Sequence, residues 1–209
     1  MGPPGSALKL SECGQDFWVL EKLGYKENGT FIDLGAADGI TGSNTFILEK
    51  FYKWGGVCVE PNPAFLQSLC GSRNVSICDL CAYNESGKIL PFLYSPSKEF
   101  YGWNFRAGLE NIIEDPGEDC IQYKVFSITL NDIFELYQLP KNIDYISLDI
   151  EGCEYPVLKG FNFKKYNVNC FTIEYYNDKE RKSIQNLMIS NGYNLETNHY
   201  TAQEDWYFK

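Results

Sequence analysis

Two clusters of acidic side chains stand where a strand-like run gives way to a turn, and both could do chemistry. The first lies in "FIDLGAADGITGSN", residues 31–44. Asp33 sits in the strand-like part, Gly35 and Gly39 bracket a turn, and Asp38 falls within it. A glycine turn after a first strand lets backbone approach a ligand closely. Dinucleotide folds use G-x-G-x-x-G there to bring N–H groups to a pyrophosphate. Here Gly35-Ala36-Ala37-Asp38-Gly39 lacks the second glycine of that fingerprint. Asp38 would also repel a pyrophosphate by several kcal/mol at an effective dielectric of about 20.

A ligand with a cationic centre and no phosphate removes the conflict. S-adenosylmethionine has a sulfonium, an amino group and a ribose. Asp33 and Asp38 can accept from its amino-acid end or balance its charge, and Gly35, flanked by Ala36 and Gly39, lets the backbone pass close by. Glu60, followed by Pro61, ends the second strand about twenty residues past the turn, where an acid holds ribose hydroxyls in dinucleotide folds. Cys81 and Ala82 follow the third strand, with Asp79 on the same strand face as Cys81. Each residue also has a plainer reading. The glycines could be ordinary turn residues, Glu60 a solvated strand end, and Asp33 a cap for the following helix.

The second cluster is "SLDIEGCEYPVLKG". Strand alternation predicts that Asp149 and Glu151 share a side and face the cleft above the sheet. Glu154 follows in the first helical turn, where it suits the helix dipole and could meet a substrate. Glu174, in "IEYYN", ends the next strand. Asp149 or Glu151 could orient an acceptor hydroxyl and take its proton. Alternatively, Asp149 and Glu174 could hold Mg²⁺ through hard oxygen ligands. Glu154 and Glu174 could also pair with lysines or cap helices. The single histidine, His199, is a weaker candidate base between the last two strands.

These residues need an α/β frame. Strands are expected at Thr30–Leu34, Val57–Glu60, Val75–Tyr83, Ile143–Ile150 and over "CFTIEYY", alternating with helices at Ser43–Tyr52, Pro61–Leu69, Leu130–Tyr137, from Glu154 and at Lys179–Ser190. Gly55-Gly56 is expected to end the first of these helices. Further strand-like runs are "KILPFLY", "CIQYKVFSITL" and two closing segments near Tyr193–Glu196 and Glu204–Phe208. Alternation of this kind points to a mostly parallel sheet with helices on both faces. Residues 95–119 read as an irregular insertion on the substrate side. Tyr101, Trp103 and Arg106 there suit a sugar ring or a planar molecule, or else cover the core.

The chain has 209 residues, enough for one well-cored domain. Residues 1–6 read as a remnant left by cloning, and residues 7–209 as the domain. A net charge of −10 argues against binding a nucleic-acid backbone. No apolar run is long enough for a membrane span and no signal peptide appears, so a cytoplasmic location is expected. Eight cysteines are scattered through apolar runs. Cys78 and Cys81 form a CxxC pair without two further zinc ligands at suitable spacing, so reduced thiols are expected.

The segments "GQDFWVLEKL", "GTFIDLGAADGITGSNTFILEK", "WGGVCVEPNP" and "IDYISLDIEGCEYPVLKG" together resemble the FkbM-type S-adenosylmethionine-dependent methyltransferases. The resemblance runs from about Gly14 to Gly160 and includes Ser43, Asn44 and Glu49 of a subgroup pattern. It implies a class I Rossmann-like fold with a seven-stranded sheet, with Asn44 on the cofactor side and Cys81 and Ala82, or Asp79, at the adenine. It also implies O-methyl transfer to a hydroxyl, of a sugar in a glycan or glycosylated metabolite, and a place as one domain of a larger glycan-modifying protein. Other readings are another small-molecule acceptor, or a catalytically silent binding module that keeps the fold. Asp38, Glu60, Asp149 and Glu151 standing together weigh against the silent module.

Overall fold

The structure, a computed structural model, describes residues 11–95, 107–110, 119–197 and 203–209. Its elements run α1 (Gln15–Lys22), β1 (Thr30–Leu34), α2 (Phe46–Tyr52), β2 (Gly55–Val59), α3 (Pro63–Ser72), β3 (Ser76–Cys78) and β4 (Cys81–Ala82). Then come β5 (Ile89–Tyr94), β6 (Ala107–Leu109), β7 (Ile121–Ile128), α4 (Leu130–Leu136), β8 (Asn142–Leu148) and α5 (Glu154–Gly160). The chain closes with β9 (Asn167–Glu174), α6 (Asp178–Ser190), β10 (Asn194–Leu195) and β11 (Glu204–Phe208).

Among the described residues, seven strands form the main sheet in the order β10-β11-β9-β8-β1-β2-β3. All neighbours from β9 to β3 pair in parallel, and β11 runs antiparallel to both β9 and β10. Alternation divides the side chains between two cores. Ile32, Leu34, Ile146, Leu148, Phe171 and Ile173 pack with α4, α5 and α6. Phe31, Tyr145 and Cys170 pack on the other face with α1, α2 and α3. Helices therefore cover both faces, as a buried parallel sheet requires. Caps fix the helix starts: the Asn177 side chain accepts from the amides of Lys179 and Glu180, and Thr129 Oγ1 accepts from the Asp132 amide.

Several boundaries differ from expectation for local reasons. The segment Val75–Tyr83 is not one strand: it breaks at Asp79-Leu80, and β4 joins a second sheet of order β4-β7-β5-β6. Gly55 and Gly56 belong to β2 rather than ending α2, which stops at Lys53 in a left-handed conformation (φ 59°). A Cβ on Gly56 would lie 2.1 Å from the Phe31 carbonyl oxygen, so β1 and β2 pair closely only because that residue is glycine. The helix expected from Ser43 begins at Phe46, because Ser43 Oγ accepts from the amides of Thr45 and Phe46 in a turn of its own. Helix α1 gave no sequence signal beyond the family resemblance.

One buried cation ties the loop after β1 to α3. The Arg73 side chain has no solvent exposure. It donates to Glu49 (2.5 Å), to Thr45 Oγ1 (2.9 Å) and, at 3.3 Å, to Ser43 Oγ and the Gly39 carbonyl. Thr45 Oγ1 in turn donates to Asp33 at 2.5 Å. Removing one partner of a buried ion pair leaves the other charge uncompensated. Arg73→Met is expected to cost about 3–5 kcal/mol of stability in urea unfolding; a cost under about 1 kcal/mol would mean that this guanidinium does not hold the loop.

Candidate active site

The register of the main sheet builds the site. Leu34, Leu148, Ile173 and Asp205 lie level across β1, β8, β9 and β11, and Val59 on β2 pairs with Leu34. One residue further along, at or just past the ends of the parallel strands, come Glu60, Gly35, Asp149, Glu174 and, paired directly with Glu174, Glu204. A single line across the carboxyl edge thus holds four acids and one glycine. A Cβ on Gly35 (φ 86°) would lie 1.8 Å from the Asp149 carbonyl oxygen. Only glycine lets the β1 turn close against the end of β8.

This edge forms the floor of a cleft of about 880 Å³. Its near wall is the β1 turn, with Gly35, Ala36, Ser43 and Asn44; Glu60 and Pro61 stand beside it, and Cys81 and Ala82 line the end beyond β2. No Lys, Arg or His is among the described residues that line it. A pyrophosphate therefore finds no cationic anchor among them.

S-adenosylmethionine fits what is there. Glu60 is buried, and its oxygens each accept one backbone N–H, from Asn62 at 2.8 Å and Ala37 at 2.9 Å. These bonds fix the carboxylate and leave lone pairs for ribose hydroxyls. Asn44 donates to Ser147 Oγ at 3.0 Å, while its Oδ1 is buried without a partner, an acceptor suited to an amino group.

A Methyltransferase FkbM domain matches residues 33–195. The chain belongs to the FkbM methyltransferase family. No curated protein matches the chain by sequence. Among solved structures, it is similar to the precorrin-6y C5,15-methyltransferase of Geobacter metallireducens GS-15 at 12% identity and a TM-score of 0.51, over 98% of this chain and 93% of that one. It is also similar to the delta-N METTL16 MTase domain at 10% identity and a TM-score of 0.50, over 98% and 82% of the two chains. At these identities the likeness concerns the fold, the class I Rossmann-like fold expected from the sequence. This FkbM protein is thus an S-adenosylmethionine-dependent methyltransferase.

The structure brings Asp33, Gly35, Ala36, Asn44, Glu60, Pro61, Cys81, Ala82, Asp149, Glu151 and Glu174 to one cleft. It separates four other candidates from it. Asp38 turns its carboxylate onto its own loop, accepting from the Ile40 and Thr41 amides and the Thr41 hydroxyl at 2.8 Å each, so it shapes the turn and does not face the cofactor. Gly39 packs beneath α3, where a Cβ would meet Leu69, Ser72 and Arg73. Asp79 is exposed at the break between β3 and β4, which removes the alternation that linked it to Cys81. Glu154 is fully buried and accepts from the Ile150 and Gly152 amides at 2.8 and 2.9 Å. It fastens the loop before α5 and is not among the residues that line the cleft.

Glu151 reaches the cleft by another route than strand alternation. Strand β8 ends at Leu148, and Glu151 adopts a left-handed conformation (φ 58°) in the loop that Glu154 secures. Tyr101, Trp103, Arg106 and His199 lie outside the described residues. The sequence reading missed Glu12, Gln15 and Glu204, which also line the cleft. Glu12 arrives with the segment before α1, which bridges to Gly42, Gln15 is the first residue of α1, and Glu204 arrives through the pairing of β11 with β9. Only the position of Glu204 at the start of a closing strand could have drawn notice.

The acids crowd one another. Asp149 keeps solvent contact in the cleft, yet protein surrounds it and burial raises its proton affinity; a hydrogen bond from Glu174 acts the other way. Burial and the neighbouring Asp149 push Glu174 strongly up. They stand at adjacent strand ends, and a charge on either one opposes ionisation of the other. Burial likewise raises Glu60 and Glu204 to about 7 and Glu154 to about 8. Each of these three binds a proton more tightly in the folded chain than in the unfolded one. Their contribution to stability is complete below the ordinary value of 4.5 and is lost as pH rises through about 7 to 8. The melting temperature of the ligand-free protein should fall between about pH 5 and about pH 8, and Glu154→Gln should flatten the decline. A melting temperature that climbs across this window would contradict the assignment.

Proposed function

We propose that this FkbM methyltransferase transfers its methyl group to a hydroxyl, most specifically that of a sugar in a glycan or glycosylated metabolite. The observation that carries the proposal is that Asp149 and Glu174 stand at neighbouring strand ends, one residue beyond the paired Leu148 and Ile173, in the cleft beside the Gly35 turn. When bound, S-adenosylmethionine supplies a methyl carbon activated by its sulfonium. A hydroxyl has a high pKa and needs a base. The ionised member of the pair accepts that proton, and the protonated member holds its partner in position. Glu60 holds the ribose, and the Asn44 side chain receives the amino group.

The sugar is supported by the family and by the cleft walls. Phe65, Phe92, Tyr175 and Tyr176 give aromatic surface for a ring face, and the carboxylates accept from hydroxyls. The absence of basic side chains among the described lining residues disfavours a nucleic-acid acceptor.

Mg²⁺ is the second reading of the same pair. Two carboxylates with water ligands can hold it. Among the described residues no cluster of three or more acids, cysteines or histidines could hold a metal ion. Turnover on a panel of free sugars and glycosides tests both. Asp149→Asn should lower kcat by a factor of about 10² or more, and the wild-type protein should keep full turnover in EDTA. Near-normal turnover of the variant would remove Asp149 from the reaction, and loss in EDTA restored by Mg²⁺ would assign the pair to a metal.

A further inference from the structure

The segment before α1 lies outside the FkbM match, yet it brings one acid, Glu12, to the cleft. Its neighbours are anchored on both sides. Ser11 forms a parallel bridge to Gly42, and its Oγ donates to the buried Asp16 at 2.5 Å. The Cys13 amide donates to Gln15 Oε1 at 2.9 Å. Glu12 is thereby laid against the turn that follows β1. A Cβ on Gly42 would lie 3.2 Å from Glu12 Cγ and 3.3 Å from its Oε1. Gly42 (φ 67°) therefore lets the carboxylate rest on the bare backbone of the turn, two residues from Asn44.

Glu12 and Asn44 both line the cleft, and both have acceptors to spare. Asn44 is 9% exposed; its Nδ2 is engaged by Ser147, and its Oδ1 has no partner. A buried acceptor without a donor is unfavourable, so a site that keeps one is shaped for a ligand that donates. Among the described residues no donor reaches the Glu12 carboxylate, and the neighbouring charge it feels is that of Asp149, also acidic. The other acids of the turn are committed. Asp33 accepts from Thr45 Oγ1 at 2.5 Å, with Arg73 behind that hydroxyl, and Asp38 is bonded to its own loop. An uncommitted carboxylate and an unpartnered amide oxygen beside one turn match a cation with several N–H donors. A primary ammonium has three.

We propose that Glu12 is a cofactor-binding residue: its carboxylate and Asn44 Oδ1 together receive the ammonium of the amino-acid end of S-adenosylmethionine. The assignment rests on the reading of Asn44 as the amino-group acceptor, and it supplies the counter-charge that a neutral amide lacks. The division of labour follows from burial. Asn44 is fixed and gives direction. Glu12 is exposed, so its charge keeps its hydration until a ligand covers it.

Calorimetric titration of the full chain with S-adenosylhomocysteine, and with its deaminated analogue in which hydrogen replaces the amino group, tests this. Glu12→Gln keeps the size of the side chain and removes its charge. It should weaken S-adenosylhomocysteine by about three- to tenfold and should not weaken the deaminated analogue. A role confined to anchoring the segment would weaken both ligands alike, and that result overturns the assignment. Unchanged or tighter binding of S-adenosylhomocysteine by Glu12→Gln overturns it as well. The same two ligands test the reading of Asn44: the wild type should prefer S-adenosylhomocysteine by about tenfold or more, and Asn44→Leu should remove most of that preference. A wild type that binds both ligands equally overturns the Asn44 reading and this assignment together. A preference that Asn44→Leu lowers and Glu12→Gln does not overturns the role of Glu12 alone.

Discussion

Carboxylates that lack enough water set the terms for the rest of this protein. Glu60, Asp149, Glu174 and Glu204 lie along one edge of the sheet, interrupted only by Gly35. Burial makes ionisation of each more costly, and each makes it more costly for its neighbours. A cationic ligand relieves this strain and an anionic one adds to it. The gap at Gly35, where no side chain intrudes, is where such a ligand can come close to the backbone.

Holding that edge together takes fixed polar contacts behind it. Arg73 is the buried cation nearest the cofactor turn; it compensates Glu49 directly and lowers the proton affinity of Asp33 against the effect of burial. Glu154 secures the loop after β8 through two backbone amides, and Asp38 closes the turn after β1 in the same manner. They spend their hydrogen bonds on backbone, so that Asp149, Glu151 and the Gly35 turn keep their places. Strongly perturbed proton affinities in a cleft are typical of functional sites.

Much of this was legible in the chain. Strand β1 matched its expected bounds because the short apolar run Thr30–Leu34 is stopped by the glycine that follows it. Glu60, Asp149 and Glu174 were recognisable as acids at strand ends, and the family resemblance gave the order of the motifs. What sequence could not provide was register. That Glu204 stands opposite Glu174, some thirty residues away along the chain, follows from antiparallel pairing across the sheet. Asp38, Gly39, Asp79 and Glu154 carried the right residue types, but local hydrogen bonding or packing turned them elsewhere, and spacing does not encode that choice. The small second sheet escaped because a two-residue strand such as Cys81–Ala82 has no periodicity to detect.

The central claim is that a sulfonium cofactor enters an edge of protonated and half-protonated acids. Calorimetric titration with S-adenosylmethionine in two buffers of different ionisation enthalpy, near the value of about 7 to which Glu60 and Glu204 are raised, measures this directly. Binding should release protons, because a cation lowers the proton affinity of the acids around it, and the uncharged-sulfur product should release fewer. Binding with no proton exchange, or equal exchange for cofactor and product, would contradict the account.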